Sequence, residues 1–285
     1  MLKTYRYRLY PTRKQKTTIK NTLESLRWVY NETLAIKKNT YKKENKTLTL
    51  FDTNKLLTQW KKEHPELRNI HSQVLQNSQL RVDLAYKAFF RRIKKGEKAG
   101  YPRFKGKNRY DSLTYPQTGF KLNNNKTLKL SKIGNVNIKL HRPIEGKIKR
   151  LTISRNSLDK YFASFIVEVD DKPTDTKTNA VVGIDLGLTT FATLSDNSKI
   201  DNPQFYKHEE KELAKAQRQL SKQKKGSSIW HKKLRKVRHI HERITNKRDN
   251  FIHQESRKLI NKYDVICFEN LNINSIKNNN FKSIN

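Results

Sequence analysis

The chain of 285 residues holds a single cysteine, Cys267, so no disulfide framework and no cysteine-based zinc site can form within it. Nor do the eight histidines supply one. Only His239 and His241 sit close together, and two residues apart on a helix they point to different sides and cannot chelate one ion. Sulfur this scarce implies a reducing, cytoplasmic compartment. Long apolar runs are missing as well. Met1-Leu2-Lys3-Thr4-Tyr5-Arg6 has no apolar core of signal-peptide length, and no later run approaches the ~20 apolar residues of a membrane span. The reading is therefore of a soluble protein without a membrane partner.

Acidic residues are also in short supply, with 26 Asp and Glu against 62 Lys and Arg, a formal net charge of +36. That excess exceeds what solubility requires and would oppose compaction by self-repulsion unless a polyanion neutralised it. Nucleic acid is the natural partner, since cations facing phosphates release counterions and bind strongly. Only 34% of residues are hydrophobic, so two or three modest cores are the most the chain can build.

Residues 2 to 10 alternate, with Tyr5, Tyr7 and Leu9 on one face and Thr4, Arg6 and Arg8 on the other, the pattern of a half-exposed strand. A solitary strand is unstable, so its partners must come from later in the chain. Pro11 and Thr12 open a helix with Ile19, Leu23, Leu26, Tyr30 and Leu34 at three- and four-residue steps. Further helices are expected over 53–62 and 72–93. In the latter, Leu75, Val82, Tyr86, Phe89 and Ile93 form the apolar stripe, while Arg81, Lys87, Arg91 and Arg92 lie off it. The segment from Gly100 to Lys107 then mixes Arg103, Phe104, Lys105 and Lys107, chemistry suited to stacking on bases while holding phosphates. Five short strands follow, at 111–115, 127–130, 135–140, 148–154 and 161–169. With residues 2–10 they make a small barrel into which the helices are inserted. Residues 171–179, polar and carrying Pro173, read as a linker.

After it, Ala180 to Asp196 reads as a buried strand, a tight turn at Gly187 and an antiparallel return. Asp185 is its anomaly, because a carboxylate among apolar residues is costly unless paired, and a divalent metal is one partner that would justify it. With D-x-G alone, an Asp that merely caps the turn at a strand end is the favoured reading. Residues 207–260 are helical except at Lys224-Lys225-Gly226-Ser227-Ser228. Beyond that break Leu234, Val237, His241, Ile244, Arg248, Phe251, Glu255 and Leu259 form the expected seam of a helical hairpin. Arg218, Lys224 and Lys225 are candidate phosphate contacts. Arg248 fits either a phosphate or an ion pair with Glu255 or Asp249. A last apolar strand, Tyr263 to Phe268, leads into Glu269. Acidic side chains on adjacent strands of one rigid sheet are what two-Mg²⁺ nucleases require.

Six ordered segments carry a resemblance: YRYRLYPTRKQ with LRWVYNETLA, GYPRFKGKNRYDSLTYPQ, GIDLGLTTFATLSD, LAKAQRQLSKQKKGS, ERITNKRDNFIHQES and YDVICFENLNI. Together they resemble the TnpB (OrfB) family of transposon-encoded proteins, relatives of type V CRISPR nucleases. The resemblance implies an α+β to α/β architecture. Residues 1–10 and 100–170 would be a split wedge β-barrel and 11–99 an inserted helical recognition lobe. Residues 180–285 would be an RNase H-like (RuvC) domain with a helical insertion near 207–260. It implies a guide RNA and target DNA as partners, no small-molecule substrate, and Mg²⁺-dependent cleavage with Asp185 and Glu269 as the first two catalytic acids and Mg²⁺ ligands. The family continues past the second acid into a zinc ribbon with paired CxxC motifs and a third catalytic Asp. This sequence has neither, and Asn270 stands where an Asp commonly follows the second acid. The expectation is a carboxy-terminally incomplete domain without a zinc site and a weak or inactive nuclease, with a cleavage-deficient RNA-guided DNA binder or a decayed remnant as alternatives.

Overall fold

A computed structural model describes residues 1–123, 126–170 and 179–269. The chain divides into two compact units, Met1–Asp171 and Lys172–Asn285. The expected linker at 171–179 falls, except for Asn179, outside the described residues, as do Asn270 and everything after it.

The first unit opens with strand β1 (Leu2–Tyr10), whose alternation is the expected one, with Tyr5, Tyr7 and Leu9 buried. Helix α1 (Arg13–Glu44) starts on a capping box. The Thr12 amide donates to Gln15 Oε1 at 3.0 Å, and Gln15 Nε2 reaches on to the Asn135 carbonyl at 2.7 Å. The cap thus satisfies a free helix end and ties the helix to the sheet. Ile19, Leu23, Leu26, Tyr30 and Leu34 are all buried, each such aliphatic contributing roughly 1.5–3 kcal/mol relative to exposure. Helices α2 (Leu50–Glu63) and α3 (Ser72–Lys94) complete the layer. Along α3, Leu75 and Val82 are buried but Ile93 is 51% exposed, so its carboxy-terminal half runs out beyond the core. Arg81, off the stripe, does not face solvent phosphates. It donates to the Ser112 carbonyl at 3.0 Å and to Thr114 Oγ1 at 3.0 Å, with its guanidinium over the Tyr110 ring.

The remaining strands of this unit are β2 (Ser112–Tyr115), β3 (Phe120–Asn123), β4 (Thr127–Leu130), β5 (Gly134–Lys139), β6 (Lys147–Arg155) and β7 (Tyr161–Glu168). They form one sheet ordered β2-β6-β7-β1-β5-β4-β3. The first strand of the chain is its centre, pairing antiparallel with β7 from Leu2↔Glu168 to Leu9↔Tyr161 and with β5 on its other side. The sheet curls until its edges meet. The Tyr115 ring of β2 sits edge-on to Phe120 of β3 at 6.3 Å, and the Tyr115 hydroxyl donates to the Ser131 carbonyl at 3.0 Å. The result is a near-barrel of seven strands, one more than the sequence reading. The addition is β3, whose alternation of Phe120 and Leu122 with Lys121 and Asn123 runs for only four residues.

In the second unit, β8 (Val181–Leu186), β9 (Thr190–Leu194), β10 (Lys199–Asp201) and β11 (Val265–Phe268) form a sheet ordered β10-β9-β8-β11. Only β8 and β11 are parallel. Between them in sequence lie α4 (Phe205–Ser221) and α5 (Ser228–Lys262). These pack as a hairpin around Leu213, Ala216, Val237, Ile240 and Ile244. The expected seam is corrected at His241, which is exposed, because its neighbour Ile240 takes the buried position. Glu209 fixes the hairpin's polar flank by accepting from Lys247 at 2.8 Å and Arg243 at 2.7 Å. The Lys247 ammonium, together with Arg243, holds its carboxyl below the usual range.

Candidate functional site

Asp185 lies on β8, and its surroundings differ from the sequence reading. The strand is buried on one face only, with Val182 and Ile184 inside and Val181 63% exposed. Asp185 projects from the open face and is exposed, so burial does not demand a partner for it. The sheet nevertheless supplies a neighbour. In the parallel β8–β11 pair the last matched residues are Ile184 and Phe268, and the next residue on each strand is an acid, Asp185 and Glu269. Two carboxylates therefore leave the ends of adjacent parallel strands at the same level. Beyond Asp185 the chain reverses through Gly187, where a Cβ would lie 2.8 Å from the Thr190 carbonyl oxygen. Only glycine allows this approach, so the residue after the acid's strand fixes how sharply the turn closes.

Carboxylate oxygens are the donors a hard divalent cation such as Mg²⁺ prefers, and two of them at one strand level fit the start of such a site. Among the described residues no group of three or more His, Cys, Asp or Glu side chains could hold a metal ion.

A second carboxylate of this unit is structural. Asp196, in the β9–β10 turn, accepts from the Tyr263 hydroxyl at 2.6 Å and from Lys262 at 3.0 Å, clasping the end of α5. Hydrogen bonds from Ser198, Tyr263 and Lys262 depress its pKa well below the ordinary 3.8. A carboxyl whose folded pKa is lowered adds stability above its unfolded value and loses it as pH falls through the folded one. The second unit is therefore expected to loosen progressively below pH 3.8. Asp196→Asn should flatten that dependence in circular dichroism melts, and an unchanged acid profile would refute the clasp.

The predicted nucleic-acid contacts sort into groups. Arg6 and Arg8 share the outer face of β1. The Arg6 guanidinium lies 4.1 Å and that of Arg8 5.0 Å from the centroid of Phe162, with Tyr10 beyond Arg8 at 5.7 Å. The exposed Arg6 guanidinium keeps its N–H edge free for phosphate, whereas Arg8 is half-buried and its Nη1 is enclosed without a hydrogen-bond partner among the described residues. Phe162 was missed in the sequence, where it reads only as an outward residue of β7; its register with Arg8 reveals the stack. Arg103, Phe104, Lys105 and Lys107 lie in an exposed segment clamped at one point. The Lys105 amide donates to Asn31 Oδ1 at 2.8 Å and its carbonyl accepts from Asn31 Nδ2 at 3.0 Å. Phe104 is left 55% exposed. Arg218 lies in the last turn of α4, and Lys224 and Lys225 occupy the exposed turn of the hairpin.

Among the described residues Arg248 forms an ion pair with neither Asp249 nor Glu255, and Glu255 instead takes Lys258 at 2.7 Å. It lines a cavity of about 420 Å³ with Leu188, Phe191, Phe205 and Phe251. The Phe251 ring meets Phe191 edge-on at 5.1 Å and Phe205 at 5.9 Å. Among the described residues no helix is long and apolar enough to cross a membrane.

Comparison with known proteins follows this layout. A family profile described as "Probable transposase" matches residues 164–280, and one described as "Helix-turn-helix domain" matches residues 1–46. In the latter range the structure has one strand and one long helix. A "Putative RNA-guided DNA endonuclease" of Streptomyces pristinaespiralis is 31% identical over 96% of this chain and 68% of its own length. The "Putative RNA-guided DNA endonuclease InsQ" of Escherichia coli is 30% identical over 96% of this chain and 67% of its own. A TnpB-like protein of Acanthamoeba polyphaga mimivirus shares 28% identity over 47% of this chain and 28% of its own. Among solved structures, the cryo-EM structure of a Cas12f1–sgRNA–target DNA complex aligns over 95% of this chain and 73% of that one. Its TM-score is 0.38 and its identity 13%.

Proposed function

Because the chain belongs to the transposon-encoded OrfB/TnpB family of RNA-guided DNA endonucleases, we propose that it binds a guide RNA and the DNA that RNA matches. In this reading the near-barrel of the first unit is the wedge domain, its inserted helices are the recognition lobe, and the second unit is a RuvC-type, RNase H-like nuclease domain. The observation that carries it is the pair Asp185 and Glu269, one residue past the Ile184–Phe268 match on parallel strands. Arg6, Arg8, Arg103, Phe104, Lys105, Lys107, Arg218, Lys224, Lys225 and Arg248 supply phosphate and base contacts.

Asp185 and Glu269 would hold Mg²⁺, which when bound polarises phosphoryl oxygens and lowers the pKa of a coordinated water. The protein's own contribution is to fix the two carboxylates on rigid strands, with the Gly187 turn setting the approach. Two carboxylates alone hold an octahedral ion weakly, so the described residues favour a second reading in which RNA-guided binding outlasts cleavage.

The test is to purify the chain with its co-purifying RNA and supply DNA matching that RNA, with Mg²⁺ or with a chelator. RNA-dependent DNA binding is expected, with cleavage slow or absent. Titration with Mn²⁺ as a paramagnetic probe should show binding that Asp185→Asn or Glu269→Gln removes. Cleavage as fast as that of the Escherichia coli relative would overturn the weak-nuclease part. Metal binding unaffected by either substitution would overturn the site.

A further inference from the structure

A separate cavity of about 670 Å³ opens in the first unit where α3 runs out beyond the core, walled by Tyr41, Asp83, Tyr86, Phe89, Phe90 and Tyr101. Its aromatic wall is braced. The Tyr86 and Tyr101 hydroxyls share a hydrogen bond of 2.8 Å, and Tyr101 stands edge-on to Tyr86 at 5.6 Å and to Phe89 at 5.3 Å. Phe90, nearly parallel to Tyr86 at 6.3 Å, is 59% exposed, and Tyr41 is 58% exposed. Rigid rings with open faces, left unburied beside a filled core, are platforms for a planar ligand.

The polar group of the cavity is specific. Asp83 is paired through Oδ1 with Lys37 Nζ at 2.6 Å, and Lys37 also donates to the Leu48 carbonyl at 2.5 Å. This fixes the carboxylate; its second oxygen takes no hydrogen bond from the described residues, and Oδ1 keeps a lone pair beside the ammonium, so both oxygens can still accept. A carboxylate only accepts. Of the bases, guanine alone presents two adjacent donors on its Watson–Crick edge, N1–H and the N2 amine. Adenine and cytosine would set a ring-nitrogen lone pair against the acid beside their amine, and uracil flanks its single N–H with carbonyls. Exposed Lys38, Lys42, Lys87 and Arg91 on the same helices favour a polyanionic chain and disfavour a cationic peptide.

We propose that this cavity receives an unstacked guanine of a single-stranded nucleic acid, stacked on Phe90 with its Watson–Crick edge on Asp83. The proposal rests on the nucleic-acid-binding reading above and adds to it a base-specific pocket.

The experiment compares fluorescence anisotropy of labelled U-tract RNA decamers carrying one central G, inosine or A, with the U-only tract as reference. It uses the full chain in about half-molar salt, which suppresses non-specific polycation binding. The G decamer is expected to bind about tenfold tighter than the U-only one, with inosine, which lacks the N2 amine, in between. Phe90→Ala, at an exposed position, should erase the difference and leave U-only binding unchanged, while Asp83→Asn should erase the preference for G over inosine. Equal binding of all decamers, or a G preference surviving in Phe90→Ala, would overturn the pocket while leaving general nucleic-acid binding standing. Loss of binding to every decamer would overturn both. Competition by tetramethylammonium and not by guanosine monophosphate would assign the cage to a methylated cation and likewise overturn it.

Discussion

Raising salt from about 50 to about 200 mM is expected to weaken the binding of nucleic acid by ~10³- to 10⁵-fold, the loss set by six to ten phosphate contacts. The expectation follows from the placement of the charge as well as its amount. With a formal net charge of +36, most cations cannot find a carboxylate within the chain. Those that do serve the fold: Lys37 on Asp83, Arg243 and Lys247 on Glu209, Lys262 on Asp196. Arg6, Arg103, Lys107, Arg218, Lys224 and Lys225 are exposed and available to phosphate. The measurement is the slope of log K against log salt for a labelled strand. Replacing Arg6 and Arg103 together by Gln should lower the slope by about two, one per lost phosphate contact. A slope near zero in the unaltered chain would show that its charge is not the binding determinant.

The near-barrel was readable because its signal is local. Tyr5, Tyr7 and Leu9 alternate with Arg6 and Arg8 over a whole strand, and Ile19 to Leu34 hold a helical period over about four turns. What was not readable depended on neighbours that sequence spacing does not name. Phe120 to Asn123 became a strand because Leu122 pairs with Leu128 across a hairpin, while its own alternation is only four residues long. His241 lost its seam position to Ile240 because the hairpin's rotation is set by Leu213 and Ala216 on the other helix. Arg81, grouped with solvent-facing cations, lies within reach of the Ser112 carbonyl and Thr114, a contact created by folding β2 against α3.

The acidic pair was legible as two acids at strand ends, while its geometry was not. Val181 is exposed yet as apolar as the buried Val182 and Ile184, so the strand reads as the continuous run of one covered on both faces, and the sequence could not tell that Asp185 emerges on the open face. That exposure alters the chemistry, because a carboxylate in water keeps its hydration and gains less from an ion than a desolvated one would.

Replacing Gly146 by alanine is expected to be among the most destabilising single changes in the first unit. Gly146 has φ of +94°, and a Cβ there would lie 2.3 Å from the Glu168 carbonyl oxygen and 2.8 Å from a methyl of Val169. The obstacle is backbone. Glu168 ends β7, paired with Leu2 on one side and Lys147 on the other, so it cannot retreat without opening the sheet at its centre. Gly96 separates this clash from conformational strain, having a φ of +67° and nothing within 4 Å of its Cβ position. Gly96→Ala should then cost only the left-handed backbone term, about 1–2 kcal/mol. Gly146→Ala adds the clash and should cost about 3 kcal/mol or more, comparable to truncating a buried aromatic such as Phe165. Against a typical domain stability of about 5–15 kcal/mol, the first change should shift a urea midpoint modestly, while the second should leave the unit marginally folded or unfolded. Equal midpoints for the two variants would mean that the approach of β6 to Glu168 is not the contact that holds the centre of the barrel together.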